Sequence, residues 1–205
     1  DDVKEFFFKF YRPNNAVLSI VGNVKVENIK KLAQKWFGDI PMSKMPERNL
    51  PKEDKQTTAR LLEIEKNVPL DVIYKAYPMC HRMDSAYYKT DLLSDVLGRG
   101  HSSRLYQKLV KERNIFTSIG AFVTGSFDEG LLICTGKPHK GISLEKADAA
   151  ICEVIEEFKQ EGVGKRELER VKNQAESSLV YDKIQLLNRA IGLCTKSILG
   201  NVDLI

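Results

Sequence analysis

Residues 97–122, LGRGHSSRLYQKLVKERNIFTSIGAF, pass from a helical to an alternating pattern, and this change decides the fold class. Ahead of it a helix is expected from about residue 84 to 97, burying Tyr88, Leu92 and Val96 and capped by Asp84 or Ser85. Gly98 and Gly100 break the chain. Ser102 or Ser103 can cap a second helix, because a side-chain oxygen there meets a backbone N–H without an intrahelical partner; Leu105, Leu109 and Tyr106 then face inward. From Ile115 to Thr124 the apolar residues alternate as in a strand, and FDEG turns it toward a partner strand, LLICTG.

On the C-terminal side, Ser143 opens a helix with Leu144, Ala147, Ile151, Val154, Ile155 and Phe158 on one face. After GVG another carries Leu168, Val171, Ala175 and Leu179, and a third spans residues 184–199. On the N-terminal side, ARLLEIE and LDVIYKAYP read as two strands separated by Lys66, Asn67 and Pro69. Val3, Phe6, Phe7 and Phe10 mark a short amphipathic helix that stops before Pro13; AVLSIVG, residues 16–22, suits a strand buried on both faces; Ile29, Leu32, Ala33, Trp36 and Phe37 mark a further helix. Strand pairs alternate with helix pairs, so the expected class is α+β, an antiparallel or mixed sheet with helices packed on one face. The expected organisation is a helix-strand-helix unit over 1–45, a proline-bearing linker over 46–57, and an α/β domain over 58–205 truncated at its C-terminus.

With 42% hydrophobic and 29% charged residues, the 205-residue chain can build a packed core. The 32 basic and 28 acidic residues are scattered, so no basic stripe forms and nucleic acid is not an expected partner. No run of about 18 apolar residues offers a membrane span. Cys80, Cys134, Cys152 and Cys194 lack C-x-x-C spacing and read as reduced, buried thiols. The start at DDVKEFFFKF resembles the first turn of a helix, so the chain is expected to be a piece of something longer, with any targeting signal outside it.

Chemistry has few candidates. Zinc needs three or four converging His, Cys or carboxylate side chains, and His81, His101 and His139 have no partner at helical spacing. His101 and Ser103 are the one local pairing of base and hydroxyl; a hydrolase built on them would lose activity in Ser103→Ala, whereas the simpler reading makes the serines helix caps. Arg104 can contact an anion or peptide at a helix N-terminus, or fix the loop to the body of the domain, the second being preferred. His101, Ser103 and Arg104 are the candidate substrate or partner contacts; no catalytic residue and no metal ligand is expected. Glu156, Glu157 and Glu161 read as a solvated helix face.

Several motifs resemble, in order and spacing, the insulinase/pitrilysin superfamily of zinc peptidases, which includes the mitochondrial processing peptidases. They are Tyr11 to Asn15, Val21 to Val24, Trp36 to Pro41, LL-x-x-VLG-x-G ending at Gly100, SSRL at Ser102 to Leu105, Gly130, and GKRELERVKNQ from Gly164. They cover nearly the whole chain. The resemblance implies the tail of a first, catalytic-type domain followed by the second, non-catalytic domain of a zinc metalloendopeptidase that cleaves peptides in an enclosed chamber. The family's H-x-x-E-H zinc signature would lie upstream, with zinc in the parent and none bound by this chain. The segment itself would supply chamber wall and contacts to a preceding catalytic domain or a companion peptidase half, with peptides as substrates and a homo- or heterodimer open to it.

The alternative is a scaffold or partner subunit of the same fold whose parent lacks zinc. Many non-catalytic halves in the family place an Arg and a Tyr where this chain has Val110 and Thr117, so that substrate-binding role does not carry over. The LVKE variant is more like a domain attached to a zinc-bearing half.

Overall fold

A computed structural model describes residues 1–44, 47, 51–125 and 127–200. The helices are α1 (Asp2–Phe10), α2 (Val26–Phe37), α3 (Tyr87–Gly98), a π-helix (Tyr106–Glu112), α4 (Leu144–Glu161), α5 (Lys165–Ile184) and α6 (Leu186–Ile198), with a 3₁₀ turn at Pro13–Asn15. The strands are β1 (Ile73–Met79), β2 (Phe116–Val123) and β3 (Gly130–Pro138). Two compact units result, one of Asp1–Glu63 with Leu179–Ile205 and one of Ile64–Ser178. Of the linker expected over 46–57, residues 46 and 48–50 lie outside the described residues. Among the described residues no helix is long and apolar enough to cross a membrane.

The second unit is α+β. Its sheet is antiparallel with order β1-β3-β2, so β3 is central, and Lys75, Cys134 and Ala121 lie opposite one another across the three strands. Alternation then assigns the faces. Ile119, Ala121 and Cys134 are buried with the helices, while Tyr74 and Phe122 stand on the open side. The register slips between Phe116 and Ser118, leaving Thr117 to donate its hydroxyl to the Lys137 carbonyl at 2.9 Å.

Helix α4 is well specified. Ser143 Oγ accepts from Lys146 N, and Ala147, Ala150, Ile151, Val154, Ile155 and Phe158 form its buried stripe. That stripe meets Phe116, Leu105, Leu109, Val96 and Val171, each fully buried, and such burial is worth about 1.5–3 kcal/mol per large apolar side chain.

Several local expectations need correction. Tyr87, 6% exposed, is the buried tyrosine of α3, while Tyr88 is 65% exposed. A 3.6-residue period cannot choose between adjacent tyrosines until the helix start is fixed, and α3 starts at Tyr87, three residues later than expected, with Asp84 accepting from Ala86 N in the turn ahead of it and capping nothing. Residues 16–22 and 59–65 join no strand ladder among the described residues and are not strands; Leu61 is 87% exposed. β-rich composition becomes a strand only when a neighbour satisfies its backbone groups. Leu179, expected inside, is exposed beyond the packed part of α5. Of the four free thiols only Cys134 is buried, and burial pushes its pKa up to about 11.

In the first unit, Asn14 and Ser43 clamp the chain through two hydrogen bonds, Asn14 Nδ2 to Ser43 O at 2.7 Å and Ser43 N to Asn14 Oδ1 at 3.3 Å. Phe7 stacks on Tyr11 with centroids 4.9 Å apart. Helices α1, α2 and α6 have no fully buried residue, and large apolar side chains such as Phe6, Trp36 and Ile191 remain exposed.

Helix α3 and β2 approach each other closely at Gly98. A Cβ placed on Gly98 would lie 1.8 Å from Ala121 N, a backbone atom that cannot yield without moving the strand. Gly98→Ala is therefore expected to destabilise the unit by about 1–3 kcal/mol or more, the range for overpacking, read as a lower urea midpoint. Gly100→Ala meets open space and carries only the strain of its φ of 75°, so its loss should be smaller.

Candidate functional site

The candidate contact residues lie in and just after the loop that joins α3 to the π-helix. Gly100 adopts φ 75°, and the turn this permits places its carbonyl to accept from both Ser103 N at 3.2 Å and Ser103 Oγ at 2.7 Å. Ser103 is fully buried. Its hydroxyl closes the loop backward instead of capping the helix forward, correcting the cap expectation. A buried hydroxyl donating to a carbonyl is not presented to a substrate, and His101 instead stacks on Tyr106 at 4.6 Å. The helix that follows is wound to i→i−5 spacing, with Arg113 N donating to Lys108 O at 3.0 Å.

Arg104 is the most engaged side chain of the group. Nε and Nη2 donate to Glu167 Oε1 and Oε2, both at 2.8 Å, in a bidentate fork. Nη1 donates to Glu161 Oε2 and Nη2 to the Gly162 carbonyl, again at 2.8 Å. The guanidinium lies 4.8 Å from the Phe158 ring centroid. Four of about five N–H donors are thus engaged, which leaves little for a ligand.

Glu167 also accepts from Gly164 N at 2.9 Å, capping α5 from within. Its carboxyl is held below the usual glutamate range, chiefly by the Arg104 hydrogen bond, and Arg104 is raised by the same bond. The acidic face of α4 is engaged too: Glu157 receives Lys108, Glu153 receives Arg113, and Arg113 Nη2 lies 3.6 Å from Glu157 Oε1. Glu157 and Glu161 are therefore pairing groups as well as solvated ones. Sequence reading missed them because their partners lie about 50 residues away, although the Gly164-to-Glu167 spacing does carry a capping signal.

A second feature, also missed, is a cleft of about 490 Å³ between one face of α3 and β2, lined by Asp91, Ser94, Asp95, Gly98, Phe122 and Thr135 among others. Asp95 accepts from Arg99 at 3.0 Å. Burial first, and then the Asp95 charge, push the Asp91 carboxyl above the ordinary aspartate range. Carboxylates at i and i+4 on a largely apolar helix were the available signal. Zinc finds no fit: among the described residues no three His, Cys, Asp or Glu side chains converge to hold a metal.

Two stability predictions follow from these charges. Glu167 has a lowered folded pKa, so its contribution is present above the unfolded value of about 4.3 and is lost as pH falls through the folded one. Glu167→Ala should cost about 1.5–3 kcal/mol near neutrality, with the difference vanishing in acid when urea unfolding is followed against pH. Asp91 has a raised folded pKa, so its ionisation opposes folding once pH exceeds about 3.9. Asp91→Asn should therefore raise the neutral-pH midpoint and leave the strongly acidic one unchanged.

Comparison with known proteins agrees with this fold. The family described as peptidase M16 inactive domain matches residues 1–175. The uncharacterized zinc protease YmxG of Bacillus subtilis (strain 168) is 26% identical over 181 residues, covering 88% of this chain and 43% of the relative. A non-peptidase homolog, YmxG of Helicobacter pylori (strain ATCC 700392 / 26695), is 22% identical over 84% of this chain and 39% of its own. The crystal structure of a protease from Helicobacter pylori superposes with a TM-score of 0.88 at 23% identity, over 96% of this chain and 48% of that one. The chain thus spans less than half the length of these relatives. With the family matched through both the first unit's N-terminal part and the α3–β2–β3–α4 core, the chain belongs to the peptidase M16 inactive-domain family, the non-catalytic partner fold of the insulinase/pitrilysin-type zinc peptidases.

Proposed function

We propose that this chain is the non-catalytic segment of a zinc-dependent metalloendopeptidase, in which it forms chamber wall and contacts a preceding catalytic domain or companion peptidase half. The observation that carries this reading is the inactive-domain match, taken with a length under half that of a relative named as a zinc protease. Physical support comes from the first unit. Phe6, Phe7, Trp36, Phe37, Leu187 and Ile191 are exposed on amphipathic helices, and apolar surface of this extent is typical of faces that another part of an assembly covers.

Zinc belongs to this reading only through the parent, where an H-x-x-E-H segment ahead of Asp1 would hold it; zinc supplies an activated water when bound. The residues described here act by position. The sheet's open side, with Tyr74 and Phe122, offers an aromatic surface for an extended peptide, and the paired loop and helix ends keep that sheet in place. A second reading, a partner subunit whose parent has no zinc, is favoured by the likeness to a homolog named as a non-peptidase.

Peptide mass spectrometry of the native parent, combined with its metal content, tests the choice. The expected result is H-x-x-E-H upstream of Asp1, zinc in the purified parent, and peptide hydrolysis lost on chelation. The isolated chain should bind no zinc. An upstream segment without the signature and a parent without zinc would select the partner-subunit reading, while hydrolysis by the isolated chain would overturn both.

A further inference from the structure

Beneath α4, away from the Arg104 contacts, one carboxylate is shared by an amine and a thiol. Asp148 Oδ1 accepts from Lys75 Nζ at 2.5 Å, and Oδ2 accepts from Cys152 Sγ at 3.7 Å. Lys75 and Cys152 are thereby held on the two oxygens of one carboxylate. Lys75 comes from β1, whereas Asp148 and Cys152 are one turn apart on α4, so the cluster bridges two elements of the core. All three side chains are partly exposed, which admits a small oxidant. The other titratable groups facing Lys75 are the Tyr77 hydroxyl and the buried thiol of Cys134, its register partner on β3.

We propose that Cys152 and Lys75 form a redox-linked modification site, in which peroxide oxidation of the thiol is captured by the lysine amine as a covalent S–N bond joining α4 to β1. In the first step Sγ attacks one oxygen of hydrogen peroxide. The S–O bond forms, the O–O bond breaks, and the departing hydroxide takes the thiol proton, giving sulfenic acid and water; sulfur is oxidised and peroxide reduced. Lys75 then passes its extra proton to solvent through Asp148. Nζ attacks Sγ, the S–N bond forms, the S–O bond breaks, and the hydroxyl leaves as water with one Nζ proton. One peroxide is consumed, two waters form, and the chain loses two hydrogens.

The geometry favours capture over further oxidation because Asp148 holds the amine on one carboxylate oxygen and the sulfur on the other. Burial pulls the Lys75 pKa down, but the Asp148 carboxylate and the nearby Cys152 thiol outweigh it and hold the amine above its ordinary value. The capture step therefore quickens as pH rises from neutrality.

The test treats the full chain with hydrogen peroxide and reads intact mass and a tryptic map without reductant. The expected product is lighter by about 2 Da, reverts with dithiothreitol, and yields a linked peptide pair joining Lys75 to Cys152. It forms faster at higher pH. It is absent in Cys152→Ser and in Lys75→Arg, the second of which keeps a cation for Asp148; circular dichroism checks that both variants are folded. A product of the same mass that persists in Lys75→Arg is a disulfide and overturns the proposal. Gains of about 16 or 32 Da at Cys152 without a link overturn it as well.

Discussion

The second unit depends on the ionic fork at Arg104. The guanidinium joins three pieces of chain that no short-range signal connects: the glycine loop after α3, the C-terminal end of α4 through Glu161 and the Gly162 carbonyl, and the first turn of α5 through Glu167. A cation at the carbonyl end of one helix and a carboxylate at the amide end of the next each meet the partial charge left there by unpaired backbone groups. The planar fork binds Glu167 through both oxygens and lies on the Phe158 ring, so a lysine at 104 would retain the charge and lose the geometry.

That fork also accounts for the winding of the helix behind it. Lys108 and Arg113 reach α4 at Glu157 and Glu153, and together with Arg104 they lay the segment along the acidic face of α4. Leu105 and Leu109, four residues apart, are both fully buried on its inner side. The segment must satisfy an apolar inner face and a basic outer one over two turns, and it does so with i→i−5 bonds. Wide turns of this kind occur often at functional positions, but here ion pairing to α4 and burial of two leucines give it a structural reason.

How far the sequence could be read depended on the range of the interaction. Helix α4 was legible to the capping serine, because Ser143 and its stripe lie on one element, and the β2–β3 pairing was legible because a short connection joins alternating runs. Residues 16–22 and 59–65 have the composition of strands and no partner strand among the described residues, so local propensity overstated them. The same limit explains the site. Arg104 was visible as a choice between ligand contact and brace, but Glu161 and Glu167, its partners, were not. Asp91 and Asp95 stood in plain view at helical spacing and gained meaning only when α3 was seated across β2.

Val110 and Thr117 bear on what kind of wall this chain can make. Val110 packs against the core, and Thr117 sits at the register slip with its hydroxyl donated to the Lys137 carbonyl. Both positions are in structural use, and neither side chain has the charge or length to bind a peptide carbonyl across a chamber. In the proposed reading, contact with an extended substrate falls instead to the open side of the sheet, where Tyr74 and Phe122 are exposed. Aromatic surface of that kind discriminates weakly among sequences, since its interaction scales with buried apolar area more than with directed hydrogen bonds. In that reading the chain holds many peptides loosely and leaves selection of the scissile bond to groups outside it.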